Sequence, residues 1–290
     1  MGLIEQAAKR LEELRRAGIE VPESAEKPGG LHAVDLRTSP LPAAANRRSR
    51  SVELDLARLA AEGCVTPGVP RSRIADEFRV IKRPLIANAS GKGSSPIKNG
   101  NLIMVTSAVP GEGKSFSSVN LAMSIAMEFD RSVLLVDADV ARPSLPQKLG
   151  LPDTPGLLDV LSDKSVDLSQ VLLRTNVEKL TFLSSGKQHE RATEMLASDA
   201  MTELLDELAA RYSDRIVIFD SPPLLVTTEA RALATHMGQI VFVVHAETTL
   251  QSEVMQALAT IEACQIKLMV LNGARTQAQG AYGYGYGYGR

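Results

Sequence analysis

Six short, almost uninterrupted apolar runs punctuate the chain from Leu102 onward, and longer stretches of helical periodicity separate several of them. The runs are 102–106 (LIMVT), 133–136 (VLLV), 180–183 (LTFL), 216–219 (IVIF), 240–244 (IVFVV) and 268–271 (LMVL). A strand with apolar side chains on both faces has to be covered on both faces, which a parallel sheet wrapped by crossover helices achieves. The segments 114–128, 192–211 and 250–264 carry the helical pattern. The expectation is an α/β domain over residues 101–273, a mostly parallel sheet flanked by helices. Ligands of such sheets bind beyond the carboxyl ends of the strands, so the residues that follow each run are the ones to inspect.

The first run leads into "SAVPGEGKS". Ala108 stands where the G-x-x-x-x-G-K-[ST] phosphate loop has its first glycine, and Gly113, Lys114 and Ser115 complete the pattern between a strand and a helix. Pro110, Gly111, Glu112 and Gly113 would turn backbone N–H groups toward a phosphate, with Phe116 opening the helix whose N-terminus adds a favourable dipole. Lys114 would bridge the β and γ phosphates, and the Ser115 hydroxyl would bind magnesium. This makes the domain a P-loop NTPase with ATP and Mg2+ as its expected ligands. The second run ends in "VDADVARP", putting Asp137 and Asp139 on one side of an extended segment. Two carboxylates there call for a cation, or one of them takes a proton from an incoming hydroxyl. The fourth run ends in "IVIFDSPP", and Asp220 is placed as a Walker B aspartate that holds magnesium. Asn272, just past the last run, is a candidate adenine contact; asparagine is also common at strand-ending turns.

Outside this core the chain reads differently. Residues 1–18 read as an amphipathic helix, with Leu3, Ala7, Leu11 and Leu14 on one stripe and Gly18 as its expected stop. Residues 19–70, rich in Pro, Ala and Arg, read as mostly disordered linker with room for one short helix from Val52 to Glu62. Residues 71–100 read as a basic helix ending at Pro84, followed by a Gly/Ser linker. The tail, 274–290, alternates Tyr282, Tyr284, Tyr286 and Tyr288 with glycine, and Tyr212 is the only other tyrosine. Glycine at every second position weakens a strand and leaves a flexible segment whose hydroxyls suit a phosphoryl-transfer site. A sticky assembly tail, or one that stacks on single-stranded nucleic acid, is the blander reading.

The formal charge of −2 speaks against a dedicated nucleic-acid binder, although it divides into +5 over residues 1–100 and −7 over the remainder. Cys64 and Cys264 lie far apart and form no C-x-x-C pair, and His32, His189, His236 and His245 have no ligand spacing. No apolar run approaches the roughly 18–20 residues that span a bilayer, so a cytoplasmic location is expected.

The ordered trio "SAVPGEGKS", "LLVDADVARP" and "IVIFDSPP", together with the tail, resembles the bacterial tyrosine kinases, and with "LIEQAAKRLEELRRAG" and "SRIADEFRVIKRPLI" it is similar to the exosortase-associated tyrosine autokinases of exopolysaccharide systems. The resemblance implies an ATP-dependent tyrosine autokinase that regulates exopolysaccharide synthesis or export. It implies Lys114, Asp137 and Asp139 as catalytic residues, Asp137 being the base; Ser115, Asp139 and Asp220 at the metal; and Tyr282, Tyr284, Tyr286 and Tyr288 as phosphoacceptors, reached in trans. It also implies a homo-oligomeric ring, a transmembrane chain-length or activator protein that brings the chain to the inner face of the membrane, and a cognate tyrosine phosphatase. Two departures stand out. Ala141 occupies the arginine position of D-x-D-x-R, with Arg142 one residue later, and the E-x-R-x-x-R oligomerisation motif reads Glu77, Arg79, Lys82. The alternative is a partitioning or septum-site ATPase that acts as a nucleotide-dependent dimerisation switch. Such proteins carry a second lysine early in the loop, where this chain has Val109.

Overall fold

The computed structural model describes residues 50–68, 72–92, 96–211 and 215–275. The expected helix at 1–18, most of the linker and the four tail tyrosines lie outside the described residues. Among the described residues, eight strands form one sheet: β1 (Arg50–Val52), β2 (Leu102–Ser107), β3 (Ser132–Asp137), β4 (Leu173–Thr175), β5 (Leu180–Leu183), β6 (Arg215–Asp220), β7 (Gln239–His245) and β8 (Ile266–Asn272). Their spatial order is β1-β4-β5-β3-β6-β2-β7-β8. Every pairing is parallel except β4 with β5. The six apolar runs all became strands, four of them in the buried centre.

Alternation along the strands builds two cores. Leu102, Met104, Phe219 and Phe242 face one side, while Ile103, Val105, Ile218 and Val243 face the other. The helix Lys114–Ala126 lies on the second side and is buried along nearly its whole length, as a helix behind a central strand must be. The expected 192–211 helix is two helices, Ala192–Leu196 and Asp199–Arg211. Ser198 interrupts it, its hydroxyl accepting the Met201 N–H at 3.3 Å as a local cap. The last expected helix is shorter, Gln251–Ala259.

Two expectations about the N-terminal region change. Residues 50–65, inside the segment read as linker, are built into the second core. Leu54, Leu59, Cys64 and Val65 are buried there. The Asn176 side chain holds Leu54 through both its N–H and its carbonyl, at 2.9 and 3.1 Å, and Asn120 accepts the Val65 N–H at 2.7 Å. The short helix is Leu56–Ala61. The second change concerns Pro84. The helix Arg73–Ala89 runs through it instead of stopping before it. Proline deprives the Val80 carbonyl of its helical partner, but Val80 is 73% exposed, so that carbonyl lies on a face open to water. Caps from Ser72 and Ser90, with Phe78, Lys82 and Leu85 buried, hold the rest.

Gln239 locks this helix to the sheet. Fully buried at the start of β7, it donates to the Leu85 carbonyl at 3.1 Å and the Gly100 carbonyl at 2.6 Å, and it accepts from Asn88 at 2.8 Å. Replacing it by leucine removes all three bonds and strands the Asn88 amide. Gln239→Leu is expected to lower stability by about 2–4 kcal/mol, read as a lower urea midpoint at unchanged slope. A midpoint equal to wild type would show that the helix is held without it.

Candidate active site

The chain leaves β2 at Ser107 and re-enters regular structure at Lys114, and Gly111 and Gly113 take positive φ of 87° and 94° in between. At Gly113 glycine is required twice over. A Cβ there would lie 2.1 Å from the Asn272 amide nitrogen, and the left-handed backbone disfavours any other residue. The helix that follows has no side-chain cap, which leaves its first N–H groups for an anion. Lys114 is buried at the head of this helix, with Ser115 beside it; the Ser115 and Ser144 hydroxyls are 3.0 Å apart.

The carboxylates gather because of strand register. Asp137, the last residue of β3, pairs directly with Asp220, the last residue of β6, and Val105 of β2 flanks Asp220 on its other side. Neighbouring strands lie about 4.8 Å apart, so two acidic groups face each other at the rim of the sheet. Asp137 is fully buried and accepts the Asp139 N–H at 3.3 Å and the Leu145 N–H at 3.1 Å. Burial, then the nearby Asp220 charge, pushes its pKa up to about 8. Asp220 receives the Ser118 hydroxyl at 2.9 Å on one oxygen, while its other oxygen is buried without a partner. Burial raises its pKa to about 6 against the pull of Ser115, Ser118 and Lys114. Asp139 is partly exposed and accepts the Arg142 N–H at 3.1 Å. Desolvation raises it too, opposed by that N–H and by the Lys114 and Arg142 charges.

The structure thus brings Lys114, Ser115, Asp137, Asp139 and Asp220 to one end of the sheet. It gives other residues different company. Asn272 donates its amide to the Glu112 carbonyl at 2.9 Å, so that group grips the loop. Pro110 and Gly111 are exposed, Glu112 is buried, and Phe116 packs on the second core with the Lys148 ammonium 5.9 Å above its ring. Lys82, expected at an oligomer contact, is buried and pairs with Glu128 at 2.7 Å and with the Ser124 carbonyl. Glu77 and Arg79 remain on the exposed face, bonded to Arg73 and Asp76. Ser118 and Ser144 were not anticipated. Helical spacing from Lys114 exposes Ser118 as a same-face neighbour; Ser144 has no comparable signal.

A family model described as an AAA domain matches residues 100–271. Among curated proteins, the tyrosine-protein kinase YwqD of Bacillus subtilis is 33% identical over 74% of this chain and 87% of its own length. The chain belongs to the bacterial tyrosine kinases. The putative tyrosine-protein kinase EpsB of Ralstonia nicotianae is 36% identical over 58% of this chain, which spans only 22% of that relative's length. Among solved structures, the chimerical protein CapA2B2 aligns with a TM-score of 0.62 at 29% identity, over 77% of this kinase and 92% of that chain. The kinase domain of the Escherichia coli tyrosine kinase ETK aligns at 0.58 and 26%, over 80% and 98%. Among the described residues no helix is long and apolar enough to cross a membrane.

The residues fit a magnesium nucleotide. A buried carboxylate oxygen without a partner and two carboxyls held above their usual range are what a site made for a cation looks like before the cation binds. Among the described residues no three His, Cys, Asp or Glu side chains converge as a metal cage. Magnesium needs none, since it keeps waters and phosphate oxygens and takes one or two protein ligands.

The raised pKa of Asp137 fixes a sign. Between its ordinary value of 3.8 and about 8 the unfolded chain has lost a proton that the folded chain keeps, so this group destabilises the nucleotide-free kinase progressively as pH rises through that window. Asp137→Asn removes the term. The melting temperature of wild type is expected to fall relative to Asp137→Asn from pH 5 to pH 8, whereas parallel curves would show that Asp137 ionises as in water.

Proposed function

We propose that this kinase transfers the γ-phosphate of ATP to its own C-terminal tyrosines, Tyr282, Tyr284, Tyr286 and Tyr288, in trans within a homo-oligomeric ring, in a system for exopolysaccharide synthesis or export. The observation that carries the reading is the Asp137–Asp220 pair beside the phosphate loop: paired, desolvated carboxyls next to a buried lysine suit magnesium and phosphoryl transfer. Ser115, Asp139 and Asp220 would hold the magnesium, which supplies charge neutralisation on the phosphates. Lys114 would bind the β and γ phosphate oxygens, and the N–H groups of 110–115 would cradle them. In the transfer the phenol oxygen bonds to the γ-phosphorus, the bond to the β,γ-bridging oxygen breaks, ADP leaves, and a carboxylate takes the phenol proton.

Asp137 is the base in this reading. Without nucleotide, burial holds it mostly protonated, and the bound magnesium and the Lys114 ammonium would return it to the carboxylate form that accepts the phenol proton. Its burial beneath the start of the helix Leu145–Leu149, whose first N–H it accepts, requires that segment to yield when the phenol arrives. The tail provides the reach. From Arg275 to Tyr288 the chain extends at most about 43–47 Å, enough for a neighbouring subunit's site. Each phosphate adds about −1.5 to −2 charge, so four on an acidic core would favour separation of the ring. With Lys82 engaged inside its own chain, ring contacts on the helix Arg73–Ala89 would fall to Glu77, Arg79 and Arg83. A transmembrane activator would bring the kinase to the membrane, and a cognate phosphatase would reset the tail.

The test is incubation with γ-labelled ATP and magnesium. Wild type is expected to become labelled, and Lys114→Met and a truncation after Gly280 are expected to stay unlabelled. Mixing full-length Lys114→Met with the active truncated chain should label the Lys114→Met tail. Label on the truncated chain itself would refute the tail as acceptor, and an unlabelled mixture would refute transfer in trans.

A further inference from the structure

Glu112 sits in the phosphate loop, but its carboxylate is turned to a task that nothing in the motif assigns. It is 2% exposed and takes three donors: the Val109 N–H at 2.7 Å, the His245 N–H at 3.4 Å and the Thr249 hydroxyl. The backbone carbonyl of the same residue accepts the Asn272 amide at 2.9 Å. The ends of β7 and β8 therefore both grip one residue of the loop. The loop needs such a grip, because Gly111 and Gly113 both stand in the left-handed region and give it little stiffness of its own.

Thr249 is held ready for this contact. It lies in the turn between β7 and the helix Gln251–Ala259, outside every phosphate-binding motif. The N–H groups of Thr248 and Thr249 both bond to the His245 carbonyl, at 3.4 and 3.2 Å, and Ala246 N–H bonds to the Asn272 carbonyl at 2.8 Å. Glu247 adopts a positive φ of 61°, a conformation that a non-glycine residue takes only when its surroundings impose it. The Thr249 hydroxyl accepts the His245 N–H at 3.3 Å while donating to Glu112, which fixes the direction of its proton. A loop already fixed by these bonds loses less freedom when backbone N–H groups close on a phosphate, and binding is tighter for it.

We propose that Thr249 and the Glu112 carboxylate are a positioning pair that holds the phosphate loop in its nucleotide-binding shape. The proposal rests on the reading that this loop binds the nucleotide, and it makes a residue 135 positions from Lys114 a determinant of ATP affinity. Thr249 does not touch the nucleotide in this scheme; it acts through Glu112.

The experiment measures binding of a fluorescent ADP analogue with magnesium to the full chain, together with the KM for ATP and kcat of tail labelling. Thr249→Val keeps the shape and removes the donor. It is expected to raise Kd and KM about 5- to 20-fold, less than the roughly 12- to 160-fold that outright loss of a hydrogen bond to a charged group corresponds to, because the Val109 and His245 N–H groups still hold Glu112, with kcat within about two-fold. Thr249→Ser, which keeps the hydroxyl, should return both to within about two-fold of wild type. In the pair of Glu112→Ala and Thr249→Val the losses should not add, because Glu112→Ala, which also frees the Val109 and His245 N–H groups, already removes the contact that Thr249→Val breaks. Thr249→Ala is expected to match Thr249→Val, and thermal melts of the nucleotide-free variants separate a binding effect from misfolding. Wild-type affinity in a folded Thr249→Val, failure of Thr249→Ser to rescue, or additive losses would each overturn the pair. A wild-type chain that binds no nucleotide would overturn the underlying reading and this proposal with it.

Discussion

Two carboxyl groups set across from each other in the sheet, Asp137 on β3 and Asp220 on β6, are the constraint around which the rest of this kinase is arranged. Like charges at adjacent strand ends, buried at 0% and 1% exposure, cannot both ionise cheaply. The protein answers with partial measures: backbone N–H groups from Asp139 and Leu145, the Ser118 hydroxyl, and the Lys114 ammonium at the head of the helix behind β2. They lower the cost without removing it, since both groups stay above their ordinary pKa. What remains is a pair of buried carboxyls whose ionised form a bound cation would favour, in keeping with the proposed magnesium nucleotide.

Strand order explains why this tension arises where it is useful. Placing β2 between β6 and β7 brings the phosphate loop directly beside Asp220 and, on its other flank, beside the β7 and β8 ends that carry His245, Thr249 and Asn272. Acidic residues thus border the loop on one side and other polar residues on the other. That division matches a bound nucleotide, whose magnesium and γ-phosphate need charge and whose remaining length needs shape. The helix Arg73–Ala89 and the 50–65 segment close the second core behind this frame, with Gln239 and Asn120 as their polar ties.

Much of this was legible in the sequence because it rests on local patterns. Each apolar run became a strand, five of them covered by the sheet's two cores and the last, on the edge strand β8, with Met269 and Leu271 exposed, and Gly113, Lys114, Ser115, Asp137 and Asp220 converge because each sits at a strand end or helix start. Features that depend on distant partners were not legible. The 50–65 segment looks like linker until Asn176 and Asn120 are seen to bind its backbone. Pro84 looks like a helix stop until the Ser90 cap and the Leu85 contact to Gln239 are in view. Lys82 looks like a surface cation until Glu128 is found against it. In each case a distant partner overrides a correct local reading, and the hold of the Asn272 amide on the Glu112 carbonyl likewise has no local signal.

The central claim is that the folded kinase stores a proton on the Asp137–Asp220 pair that a magnesium nucleotide displaces. Calorimetric titration of the nucleotide-free chain with Mg2+ and ADP at pH 7, repeated in buffers of different ionisation enthalpy, counts the protons directly. The account predicts release of a substantial fraction of one proton, up to about one, on binding, with an observed enthalpy that varies with the buffer and loses most of that dependence in Asp137→Asn. Tight binding with the same enthalpy in every buffer would mean that the pair is already ionised, and would contradict it.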